Sequence, residues 1–119
     1  MSKLRNIGMW FSLVLASLAF LAAGLAKLAG VEQLHMSFAV MGLPVWFGYF
    51  IGACEVAGAV GIWMRKLSLY ACSGLITIML GAIYFHLVFD AVTHAVPAVI
   101  LSLLLLNIVS SRKAQLELS

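Results

Sequence analysis

A chain of 119 residues that is 65% hydrophobic and 9% charged, with a mean hydropathy of +1.15, lies far outside the composition of a soluble domain and reads as an integral membrane protein. Its net charge of +3 does not point to nucleic acid, because the basic residues stand in pairs at the ends of apolar runs, where they set topology. Cys54 and Cys72 fall inside apolar segments without a CxxC spacing and, opposed in an antiparallel hairpin, would differ in depth by about 8 Å; they read as two buried thiols, not a disulfide, a redox pair or a metal site.

Lys3 and Arg5 lead into an apolar run over residues 7–26. A basic start and small residues near Gly24 and Ala26 also describe a secretory signal peptide, but a run of about 20 residues is long enough to span a bilayer. Between Lys27 and Leu43, the residues Val31, Leu34, Phe38 and Met41 recur at helical spacing among polar neighbours, which predicts a short amphipathic helix at the membrane interface. Further spans are expected over residues 44–64, 67–89 and 94–110, with Pro97 in the first turn of the last, where its missing N–H is harmless. The fold class is therefore all-α, a single-domain bundle of four membrane helices.

Lys3, Arg5, Arg65, Lys66, Arg112 and Lys113 fall on one side of such a bundle and only Lys27 on the other, which places both termini in the cytoplasm. Apart from these basic anchors and Glu117, every ionisable residue lies in the outer half or at the midplane. Asn107, near the inner end of the last span, is expected to donate a hydrogen bond between helices.

The second span, PVWFGYFIGACEVAGAVGIWM, poses the sharpest physical problem because Glu55 sits near its middle. A carboxylate at the bilayer centre costs about 3 kcal/mol on an insertion scale, whereas each Val, Ile, Leu or Phe returns only about 0.3–0.6. Glu55 must then be protonated, hydrogen-bonded or faced by a base from another helix. Room for that partner exists: Gly48, Gly52, Glu55 and Ala59 fall within about 60° of one another on the helical wheel. Lys27, closing the first helix, either snorkels outward or supplies its charge to Glu55 or Asp90.

On the third span Cys72, Met79, His86 and Asp90 share a face about 40° wide, a stripe that suits packing better than a cofactor box. His86 and Asp90 are more specific, since an Asp at a helix C-terminus needs a donor, and His86, His94 and Lys27 can provide one. His86, Asp90 and His94 also have the i, i+4, i+8 spacing of ligands along one helix. The helix is expected to end near Asp90, which would break that row, so no metal is expected; no mid-bundle histidine is placed to face His86 across a haem. No nucleophile with an adjacent base, Gly-rich phosphate loop, HExxH or GxSxG element is present.

The motifs Gly24-x-x-Lys27-Leu28, Gly42-Leu43-Pro44, Gly52-x-x-Glu55-x-x-Gly58 and Ala82-x-x-x-His86, followed by Asp90, His94 and Pro97, in this order, resemble the DoxX family of small four-helix membrane proteins. The Glu55 region and the run from His86 through His94 are also similar to the vertebrate branch that assists assembly of nicotinic acetylcholine receptors. The resemblance implies links to thiosulfate:quinone oxidoreductase, to thiol and superoxide defence, or to receptor assembly and cargo handling, with Lys27, Glu55, His86 and Asp90 as the polar positions that matter. The location expected for the chain is a bacterial cytoplasmic membrane.

Three functions are then expected, in this order. The first is a non-catalytic binding or assembly protein with an outer-half pocket of Lys27, Glu55, His86, Asp90, His94 and Gly52, receiving a lipid-like ligand, a membrane-protein partner or a second copy of the chain. The second is a subunit of a quinone-linked oxidoreductase, with quinone as cofactor and with His86 and Asp90 exchanging protons. The third is a proton-coupled transporter, which four short helices would require to be oligomeric. Independent enzymatic activity is not expected.

Overall fold

A computed structural model describes residues 3–118, with side chains as far as residue 115; the Glu117 carboxylate lies outside them. The first helix, α1, is Lys3–Leu28, and at 26 residues it is about 39 Å long, more than the hydrocarbon thickness of about 30 Å. It ends in a Schellman turn: Gly30, at φ +81°, donates to the Lys27 carbonyl at 3.1 Å, and the Val31 N–H reaches the Ala26 carbonyl at 3.2 Å. The next helix, α2, is Glu32–Val40 and ends the same way, with Gly42 at φ +78° donating to Ala39 and Leu43 to Phe38, both at 3.0 Å. Pro44 then starts α3, Val45–Gly61.

The remaining elements are α4, Ser68–Phe89, a 3₁₀ turn at Val92–Ala95, and α5, Val96–Leu118, which runs beyond the Ser110 end expected from hydropathy. Helix α1 packs between α3 and α5, and α4 closes the ring by packing on the same two helices. Met9, Leu13, Ala16 and Phe20 of α1 meet Ala59 and Ile62, Cys72, Leu75 and Met79, and Ala98, Leu105 and Ile108 in one apolar core. The outside is also apolar: Ile7, Phe11, Val45, Leu80 and Leu103 are all exposed, as suits helices solvated by lipid. Cys72 is buried and Cys54 half-buried, and both are free thiols.

Three stretches, Lys3–Leu28, Ser68–Phe89 and Val92–Gln115, are long and apolar enough to cross a bilayer. With 17 residues, α3 is shorter than the usual span of about 20. It qualifies together with α2, from which it is bent by 118°, the geometry of a broken span or a re-entrant segment.

The basic end of the bundle is tied together by polar contacts. Asn107 of α5 donates to Ser12 Oγ at 2.8 Å and to the Gly8 carbonyl at 3.2 Å on α1, the interhelical role its position implied. Arg5 donates to the carbonyl and hydroxyl of Ser110 at 2.9 and 2.7 Å. Arg112, expected to be only a topology anchor, is 8% exposed and sits among three helices. Its guanidinium reaches the Ile62 and Trp63 carbonyls and Ser68 Oγ at 3.2, 3.4 and 3.3 Å, supplying donors to the turn that follows α3, where carbonyls are no longer taken up by a helix.

Candidate functional site

The close crossing of α1 and α3 depends on two glycines. A Cβ on Gly24 would lie 2.7 Å from the Gly52 carbonyl oxygen, and one on Gly52 would lie 2.8 Å from Lys27 Cβ and 2.9 Å from the Gly24 carbonyl. With neither Cβ present, the backbones touch, as small residues allow in membrane helices. That approach brings Lys27 Nζ to 2.6 Å from Glu55 Oε1, with the lysine side chain 13% and the glutamate 1% exposed. Oε1 is sealed from solvent and has no aligned hydrogen-bond donor among the described residues, so the ammonium answers it as a charge. Glu55 therefore faces a base on the adjacent helix, and Lys27 turns inward instead of snorkelling.

His86, Asp90 and His94 form a second group. Helix α4 ends at Phe89, Asp90 is extended (φ −144°, ψ −172°), and the 3₁₀ turn carries His94 back toward the helix end. The Nδ1 atoms of His86 and His94 both donate to Asp90 Oδ2, at 3.0 and 2.8 Å, and the two rings meet edge to face at 6.0 Å. The His94 bond, then the Ala91 backbone N–H and the His86 bond, lower the Asp90 carboxyl from 3.8 to about 2. Phe85 packs edge-on against His86 at 5.3 Å. No hydrogen bond or ion pair joins this group to Lys27 and Glu55 among the described residues.

A groove of about 470 Å³ opens between α2 and the start of α3. Met36, Phe38, Ala39, Leu43, Pro44 and Val45 give it apolar walls, while Glu32, His35 and Tyr49 supply polar atoms; Lys27, Glu55, His86 and Asp90 do not line it. His35 connects the groove to the buried pair. Its ring lies 4.4 Å from that of Tyr49, and its Nε2 donates to the Lys27 carbonyl at 2.8 Å. It occupies the space left by Gly48, where a Cβ would collide with the imidazole. Phe38 stacks edge-on with Phe47 at 5.5 Å and pins the other end of α2 to α3.

Sequence reasoning placed His35 only at the outer face and gave Tyr49 no role. The available signal was Gly48, one turn before Gly52 on the same face: a second gap on the Glu55 side of α3 needs something to fill it.

Fold and polar groups together define a small helical integral membrane protein with charged side chains held inside its bundle and at one of its ends. The chain belongs to the DoxX-like family, whose sequence profile matches residues 11–108, a stretch that takes in Lys27, Glu55, His86, Asp90 and His94. No curated protein and no solved structure matches it.

Proposed function

We propose that this chain is a non-catalytic binding protein of the membrane that receives a small amphipathic ligand in the groove between α2 and α3. The observation that carries this reading is the composition of the groove, six apolar residues beside Glu32, His35 and Tyr49, on a molecule whose remaining surface is mostly apolar. A ligand with one apolar part and one hydrogen-bonding head matches both. Lys27, Glu55 and Gly52 are the framework behind the groove, joined to it by His35. Charge asymmetry supports an orientation in a bacterial cytoplasmic membrane with both termini cytoplasmic, the groove toward the outer face and α2 near the interface.

The test is mass spectrometry of the small molecules released from protein purified in mild detergent. Wild type should carry an amphipathic compound that is depleted in Ala39→Trp, which fills the groove from an exposed position. Equal content in the two proteins, or a co-purifying membrane protein in place of a small molecule, would overturn the reading.

A quinone-linked subunit is the second reading, favoured by the imidazole–carboxylate contacts of His86 and Asp90 beside Phe85. Asp90 at about 2 stays ionised near neutrality and would fix imidazole orientation without carrying protons itself. Quinone reduction by membranes containing the protein, lost in His86→Ala, would support this reading over the first.

A further inference from the structure

The group at the α4–α5 connection has a geometry that the groove reading leaves unused. On a continuous helix the spacing 86, 90, 94 would string the three side chains along about 12 Å of axis, too far apart for one ion to touch them all. The break after Phe89 changes this. Asp90 leaves the helix in extended conformation, the 3₁₀ turn reverses the path, and the His94 N–H bond to the Ala91 carbonyl at 3.0 Å closes that turn. Ala95, 5% exposed, roots the turn in the bundle. One ligand atom from each of the three residues then lies within 4.8 Å of the other two.

We propose that His86, Asp90 and His94 form a binding site for a divalent transition-metal ion of the zinc type. Two imidazole nitrogens and one carboxylate oxygen are a donor set suited to such ions. Bonds of about 2.0–2.2 Å in a tetrahedral site put donor atoms about 3.4 Å apart. The present contacts of 3.0 and 2.8 Å to Oδ2 bracket a position between the three atoms that small side-chain rotations open. On binding, each Nδ1 gives up the hydrogen it now donates to Asp90 so that its lone pair can take the metal, leaving the ring N–H on Nε2. Three protein ligands leave a fourth position for water or for a donor from a partner. The ion would clamp the end of α4 to the turn that starts α5.

The test uses full-length protein without a polyhistidine tag, purified with chelator in mild detergent and titrated with Zn²⁺ by calorimetry and with Co²⁺ by visible absorption. Wild type should take up one equivalent, show the intense bands of tetrahedral Co²⁺, and gain thermal stability with zinc. His94→Gln and Asp90→Asn should each weaken binding by more than about tenfold, since even an outer-shell partner of a metal ligand is worth that much. The His94 side chain is 62% exposed, so its replacement should leave the metal-free melting temperature unchanged and show that weaker binding is not misfolding. Cys54→Ser should bind as wild type does. No saturable uptake by wild type, or equal uptake by His94→Gln, would overturn the proposal.

Discussion

The molecule answers a carboxylate with nitrogen bases twice, at nearly the same distances and to different effect. Lys27 and Glu55 meet at 2.6 Å inside the bundle, whereas Asp90 meets two histidines at 2.8 and 3.0 Å where its side chain is 37% exposed. Burial makes the difference. Removing one member of a buried pair strands the other without water, so each depends on its partner to fold. At the exposed group water replaces whatever is lost, so its contacts add little to stability and its atoms remain available to a ligand. Similar chemistry serves as framework in one place and stays open to the surroundings in the other.

The sharpest way to break this contrast is Lys27→Met, which leaves Glu55 buried without a base and should destabilise the protein by about 3–5 kcal/mol, read as thermal unfolding in detergent. Lys27→Met combined with Glu55→Leu should recover most of that loss; a double variant as unstable as the single one would show that Glu55 did not depend on Lys27. Gly52→Val attacks the same pair through the backbone, since its Cβ meets Lys27 and the Gly24 carbonyl, and should cost about 1–3 kcal/mol in the same assay. Asn107→Ala, which removes one interhelical donor outside both groups, should cost about 0.6 kcal/mol, the mean for such bonds in membranes. Smallest of all, His94→Gln should leave the metal-free melting temperature within measurement scatter. A large shift there would mean that the exposed group is as structural as the buried one.

What could be read from the chain was set by strong penalties. Glu55 in the middle of an apolar run admits few solutions, and Gly48, Gly52 and Ala59 on its face already leave room for a neighbouring helix, with Lys27 among the bases that can answer it; that Gly24 is the other half of the crossing is visible only in the structure. The groove was not legible, because it depends on the path from Gly30 to Pro44 and on the 118° bend between α2 and α3, which composition does not encode. In the sequence Arg112 reads as a topology marker, since nothing local shows that α3 stops at Gly61 and that the turn after it carries carbonyls needing a donor. The 86–90–94 row is more instructive. The helix does end where expected, but the interruption, which breaks the row along one helix axis, also carries His94 back beside Asp90 and His86, a proximity that the spacing alone does not show.

Helix α2 hangs between two glycine swivels, Gly30 and Gly42, and none of its nine residues is fully buried. Its backbone amides should therefore exchange with solvent sooner than those of the four long helices. Met36 and Ala39 line the recess from α2, and Val45 with Tyr49 line it from α3. His35, hydrogen-bonded to the Lys27 carbonyl, and Phe38, packed on Phe47, tether α2 to the bundle, so losing either contact should quicken that exchange further.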